Sequence, residues 1–348
     1  MAGRPLDQAY RRFGADAAGT VYGTVAVAIS ESADALKAIA TAPARKRSPE
    51  LILAALHDRA LAGHAPALAA AYAAGDADAA AAAAVDTLLR QTDPVVAIAG
   101  RRRVRPDGTG RAAVLHPAIA EAAYRVGAGA LGLIDVDCGA GLALTVDRVG
   151  ISYGEGRSVG DPHSPVQLAA SVVGERPVPA RALPAVVARV GIDPDPLDVT
   201  DADDARWLRA CLPPDRPAAT LDAAVALTRA DPPLLLRGDA VDLLPEAIAR
   251  VPADALPVVT TTWALSRLAP ESRLRFLHRL DDAATDRPVA WVSVEGVGVA
   301  PAVPTMGDRH ASGHSIIGVA VFEHSTLRAE AVGRCWSRGR LLAWLAGS

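Results

Sequence analysis

At Leu131 the chain stops reading as helix and begins to alternate. The stretch Leu131-Gly132-Leu133-Ile134-Asp135-Val136-Asp137-Cys138-Gly139-Ala140-Gly141 is a short apolar run that ends in acid and passes into a glycine turn. Leu142-Ala143-Leu144 then suits a helix start. That layout brings backbone N–H groups up to a bound nucleotide. It also divides the chain: residues 1–125 carry helical period and no strand, and predict an all-α N-terminal domain. Residues 126–348 predict the alternating strands and helices of a Rossmann-like domain, with an insertion at about 148–184.

In the N-terminal part, Ser48-Pro49-Glu50 reads as a helix start. A serine oxygen is placed to cap, proline takes N1 where no N–H is needed, and glutamate faces the positive end of the dipole. Ala67 to Leu89 is so rich in alanine that propensity alone favours helix, broken in two near Gly75, Asp76 and Asp78. Arg101, Arg102, Arg103 and Arg105, followed by Pro106-Asp107-Gly108, form the densest positive cluster. It reads either as a solvated helix end and loop or as an anion clamp. His116 to Val126 predicts one more helix, leading directly into the first strand.

Strands are predicted at Gly132–Val136, Ala185–Ile192, Leu234–Arg237, Pro257–Thr261 and Val289–Val294, with a further pair near Ile316–Glu323 and Arg328–Cys335. Helical segments lie between most of them; one opens at Thr200-Asp201-Ala202-Asp203-Asp204 and buries Trp207, Leu208, Cys211 and Leu212. The expected fold class is therefore α/β, a mostly parallel twisted sheet flanked by helices. With aromatics at only 4 %, its cores must be built from Ala, Val and Leu. The Gly- and Pro-rich insertion carries two β-like runs, Val149–Tyr153 and Val166–Val173, and reads as an inserted β-hairpin beside the cleft.

Bulk properties exclude several classes. A formal charge of -3 argues against a protein wrapped around nucleic acid. No run approaches the roughly twenty apolar residues that cross a bilayer and no leader-like segment opens the chain, so a cytoplasmic protein is expected. Three widely spaced cysteines, Cys138, Cys211 and Cys335, suggest neither a disulfide framework nor zinc. His310 and His314 have the spacing of a helical metal pair, yet Gly307, Ser312 and Gly313 speak for a loop, and no metal is expected. No G-x-S-x-G elbow supports hydrolysis. A dinucleotide dehydrogenase fits poorly: the third glycine of its fingerprint would fall at Leu144, and Asp193 comes too late for its ribose acid.

Chemistry concentrates at three strand ends. Asp135 and Asp137 close the first, with Gly139 and Gly141 freeing the turn. Arg189-Val190-Gly191-Ile192-Asp193 closes the second, where a carboxylate suits the two ribose hydroxyls. Arg237-Gly238-Asp239-Ala240 closes the third, where Asp239 is placed to accept an adenine amino group. His163 in the insertion and Glu295 after the fifth strand are candidate acids or bases.

This ordered trio resembles the class I S-adenosylmethionine-dependent methyltransferases. More closely, the chain resembles an uncharacterised bacterial domain-of-unknown-function family within that superfamily. The matching residues are Tyr10-Arg11-Arg12-Phe13, Asp147-Arg148, Tyr153-Gly154, Gly160-Asp161-Pro162 and Ser164-Pro165-Val166. They continue with Arg189-Val190-Gly191-Ile192-Asp193, Asp204-Ala205-Arg206-Trp207-Leu208, Gly238-Asp239-Ala240, Trp263, Ser293 and Glu295-Gly296. The resemblance implies a Rossmann-like methyltransferase fold and an S-adenosylmethionine site at Asp135, Asp137, Gly139, Gly141, Asp193, Asp239 and Ala240; a small-molecule acceptor is then expected between the helical N-terminal domain, as a helical cap, and the inserted hairpin.

Two departures bear on it. The superfamily usually places glycine where this chain has Asp137, and the related family usually has asparagine at Ala143. A carboxylate near the cofactor's own carboxylate is repelled by roughly 4 kcal/mol for unit charges about 4 Å apart at an effective dielectric of about 20. Pairing with its amino group or sulfonium would reverse the sign. The alternative expectation is thus a catalytically degenerate methyltransferase-like protein serving as a binding or regulatory partner.

Overall fold

The computed structural model describes residues 5–106, 108–154, 156–324 and 326–347. Met1 to Arg4, which open the chain, and Asp107 of the Pro-Asp-Gly turn lie outside them. The chain divides into two compact units: residues 1–107 with 200–222, and residues 108–199 with 223–348.

The first unit is helical. It holds α1 (Leu6–Asp16), α2 (Val21–Glu31), α3 (Ala33–Ile39), α4 (Pro49–Leu61), α5 (Pro66–Ala74), α6 (Ala77–Arg90) and α7 (Thr92–Arg101). Pro49 opens α4 as expected, but Ser48 makes no side-chain capping bond. The alanine-rich stretch breaks where the glycine and aspartate demand it. Gly75 takes the left-handed conformation that closes α5, and the Asp76 carboxylate caps the Ala79 N–H to open α6.

The next helix, α8 (Ala112–Val126), belongs to the second unit and lies over its sheet. There follow β1 (Ala130–Val136), β2 (Gly150–Ser152), β3 (Ser158–Gly160), β4 (Gln167–Ala169), β5 (Ser171–Val172) and β6 (Ala185–Asp193). After β6, α9 (Ala202–Ala210) falls in the helical unit, its start capped by Asp201 on the Asp204 N–H. The remaining elements are α10 (Ala219–Ala230), β7 (Leu234–Arg237), α11 (Ala240–Ala249), β8 (Leu256–Thr262), α12 (Pro270–Ala283), β9 (Val289–Gly296), β10 (Ser315–Glu323), β11 (Thr326–Trp336) and β12 (Leu341–Trp344).

Nine strands form one sheet in the order β5-β12-β11-β10-β9-β8-β1-β6-β7. The five from β9 to β7 are parallel. Counted along the chain within this sheet they run 3-2-1-4-5, so the order reverses between β1 and β8, and at such a reversal open α/β sheets leave a crevice. The sheet is mixed: most of its pairings are parallel, but towards one edge β9, β10, β11 and β12 pair antiparallel. A parallel return requires a crossover of a dozen or more residues, usually helical. Between β9 and β10 the described residues contain only the short 3₁₀ turn His310–Ser312, and β10 turns straight into β11.

Strands buried on both faces divide their side chains by parity. Leu131 and Leu133 of β1, Val258 of β8 and Val292 of β9 pack under α8. Ile134 and Val136, Val259 and Trp291 pack against Leu244 and Ile248 of α11 and Phe276 and Leu280 of α12. The insertion departs from the expected hairpin. The two runs expected to pair as a hairpin do not: β2 and β4, which fall within Val149–Tyr153 and Val166–Val173, pair parallel, the antiparallel partner of β2 is the intervening β3, and β5 crosses to pair with β12 at the edge of the large sheet. Among the described residues no helix is long and apolar enough to cross a membrane.

Candidate functional site

The β1/β8 reversal, where open α/β sheets leave a crevice, lies between the ends of those two strands. Asp135 points to the α8 face, in step with Leu131 and Leu133, and is fully buried. Its register partner on β8 is Thr260, whose hydroxyl donates to Oδ1 at 2.7 Å. Oδ2 has no partner. Burial pushes the carboxyl up to about 6, while the Arg111 guanidinium and the Thr260 hydroxyl draw it back.

Among the described residues, other unsatisfied polar atoms of this face include the Thr262 hydroxyl, two residues beyond Thr260 on β8, and Nδ1 of His116 on the covering helix α8. Burial lowers the His116 pKa to about 4, with Asp147 pulling the other way, so this ring is neutral at physiological pH. Native interiors leave few buried polar atoms unpaired, so these atoms single out this end of the sheet as a candidate site.

The turn after β1 is held from its neighbours. Asp137 sits at φ 59°, in the left-handed region, and its N–H donates to the Ile192 carbonyl at 2.8 Å. Its carboxylate pairs with Arg267, which lies on the 3₁₀ turn Leu265–Arg267 after β8. Glycine at this position would relieve the backbone, and aspartate is among the residues that tolerate it. Gly139 and Gly141 both have positive φ. A Cβ on Gly191 at the end of β6 would come within 2.5 Å of Cys138 Sγ, so glycine there lets the turn lie against β6. The segment beyond the turn is a 3₁₀ helix, Leu142–Arg148, and not the expected α-helix opening; Arg189 of β6 anchors it through a bidentate pair with Asp147 at 2.7 and 2.8 Å.

Asp193 and Asp239 stand at the next two strand ends. Asp193 is 1 % exposed; Oδ2 accepts the Gly139 N–H at 2.9 Å and Oδ1 the Asp195 N–H at 2.7 Å. It therefore fastens the β1 turn to β6. Asp239 is exposed and caps α11, accepting from the N–H groups of Val241 at 2.9 Å and Asp242 at 3.3 Å, with Ala240 as the first helical residue.

The two candidate acid–base residues fall elsewhere. Glu295 ends β9 on the opposite face from Asp135, with parity shared with Trp291. Oε1 accepts the N–H groups of Ala264 at 2.9 Å and Leu265 at 3.0 Å, and Oε2 is unpartnered. Burial pushes this carboxyl up to about 7 against the pull of those amides. Glu295 shapes the turn that carries Arg267. His163 is exposed in the loop between β3 and β4, where its own N–H donates to Asp161.

Part of the arginine cluster is bound into the helical unit, while the Arg101 and Arg103 side chains are exposed. Arg102 pairs with Asp204 and lies over the Trp207 ring, Trp207 donates to the Arg103 carbonyl, and the Arg105 N–H meets Cys211 Sγ. His310 and His314 do not form a helical pair: His314 instead meets Asp308 at 2.9 Å, which Arg334 also grips. Reasoning from sequence missed Arg267, Thr262 and His116. The visible signals were a Thr-Thr-Thr run closing an apolar strand and a lone histidine in an Ala- and Val-rich helix.

A family model described as an uncharacterized protein conserved in bacteria (DUF2332) matches residues 7–344. No curated protein and no solved structure gives a match.

Proposed function

Given that the chain belongs to the DUF2332 family, we propose that it is a methyltransferase-like protein that binds S-adenosylmethionine at the carboxyl ends of β1, β6 and β7 and acts on a small molecule. One observation carries this reading. Three acids, Asp135, Asp193 and Asp239, end three neighbouring parallel strands in chain order, beside the point where the strand order reverses.

The residues present fit an adenosyl group in part directly and in part through the turn. Asp239 is exposed, and an ionised carboxylate keeps acceptor capacity beyond the two amides it caps. Asp135 brings an unpartnered oxygen. Asp193, buried and bonded, acts by positioning Gly139. When bound, the cofactor supplies a methyl group activated on a sulfonium. The chain's own contribution is placement: in-line methyl transfer needs alignment first, and a base only where the acceptor must lose a proton. Asp135, with its carboxyl near 6, is the residue best suited to hold such a proton. Arg267 neutralises Asp137, which offsets the repulsion otherwise expected against a cofactor carboxylate.

A second reading is favoured by the burial of Asp193: a degenerate site kept in a binding or regulatory partner. Calorimetric titration with S-adenosylmethionine and its demethylated product separates the two. Saturable heat with both supports the cofactor site. No heat with either at high micromolar concentration removes it.

A further inference from the structure

A cavity of the sheet unit lies away from this crevice. It encloses about 630 Å³ between the insertion and the far edge of the large sheet, within the range that small-molecule ligands occupy. β12 stands five places from β1 in that sheet, and at about 4.8 Å per strand the two sites are roughly 24 Å apart.

Three arginines from remote parts of the sequence line it. Arg157 follows the β2 strand, Arg176 lies after β5, and Arg340 immediately precedes β12. Backbone pairing brings them together: Tyr153 N–H donates to the Arg157 carbonyl at 2.9 Å, and Ser171 N–H to the Arg340 carbonyl at 2.8 Å. Glu175 is the acid among the lining residues. Arg176 donates to the Leu345 carbonyl, whereas Arg157 and Arg340 have no side-chain partner among the described residues. This differs from Arg125, Arg181, Arg189, Arg206 and Arg334, each of which pairs with a carboxylate.

We propose that this cavity is a second ligand site, for a small molecule bearing a phosphate group. Guanidinium forks match phosphate oxygens two at a time, and a tetrahedral dianion can engage several forks where a single carboxylate is filled by one. The buried Tyr153 and Val178 give the same cavity an apolar wall for the rest of the molecule. Free phosphate and a phosphate ester share the chemistry that the arginines read. The site stands independently of the methyltransferase reading, and failure of S-adenosylmethionine to bind leaves it untouched.

The test is calorimetric titration of the full chain, at fixed ionic strength, with inorganic phosphate, pyrophosphate and glycerol 3-phosphate. Saturable one-to-one binding of at least one is expected, and the tightest of the three identifies the source. Arg157→Ala and Arg340→Ala, both at exposed positions, should each weaken it about tenfold without lowering the melting temperature. Arg328→Ala, which removes an equally exposed arginine that pairs with Glu323 on the β10–β11 hairpin, should leave it unchanged. Absence of saturation with all three anions, or equal weakening by Arg328→Ala, overturns the proposal.

Discussion

Glu295 is a carboxyl that burial has moved into the physiological range. Its pKa rises from an unfolded value of 4.5 to about 7 on folding. The folded state therefore holds its proton more tightly, so its contribution to stability is fully present below pH 4.5 and is lost as pH rises through about 7. The whole shift corresponds to about 3 kcal/mol. Glu295→Gln keeps an acceptor for the Ala264 and Leu265 amides without the charge. Its melting temperature should match the parent's near pH 4.5 and exceed it at pH 8; parallel pH profiles of the two proteins would show that Glu295 is not the titrating group. Asp137 allows a second test at this scale. Asp137→Gly removes about 1 kcal/mol of left-handed backbone cost and loses a partly exposed pair of about the same worth. Because Arg267 already neutralises the carboxylate, S-adenosylmethionine affinity should change by less than about threefold. A gain of tenfold or more would favour the degenerate reading.

Among the elements, α9 shows why a chain-order reading goes only so far. It is expected as one of the helices between strands, and its cap and buried Trp207 and Leu208 lie where the sequence places them. Its partners are not legible there, because they come from more than a hundred residues earlier. Arg206 reaches Asp58 on α4 at 2.9 Å, and Asp58 is 4 % exposed. Arg206→Ala leaves that carboxylate buried and unpaired, which should cost about 3 kcal/mol or more in chemical denaturation. A loss under 1 kcal/mol would contradict a stabilising role for this pair. The strands tell the same story. Those from β1 to β11 in the large sheet were legible wherever an apolar run met a turn signal, as Leu234–Arg237 did to the residue. β12 and β3 were not, since four and three residues carry too little period and exist only through their neighbours. At the crevice, Asp135, Asp193 and Asp239 were readable as strand-end acids. That Asp193 spends both oxygens on backbone amides was not, because amide partners leave no mark on side-chain identity.

For the whole molecule, the decisive feature is a mixed sheet whose parallel half reverses order between β1 and β8. At that reversal, where such sheets leave a crevice, three acids stand at neighbouring strand ends and Arg267 of the β8 turn meets Asp137 of the β1 turn. The antiparallel half supplies the edge on which β5 of the insertion docks and the arginine-lined cavity forms. One chain thus carries a crevice lined with acid and a cavity lined with base. The most direct measurement is isothermal titration of the full chain with S-adenosylmethionine, repeated on Asp239→Ala, whose carboxylate is exposed and whose loss costs only a helix cap of about 1 kcal/mol. The predicted result is one-to-one binding in the parent, weakened tenfold or more in a variant that remains folded. Absence of binding in the parent, or equal affinity in the two proteins, would contradict an adenosyl site at these strand ends.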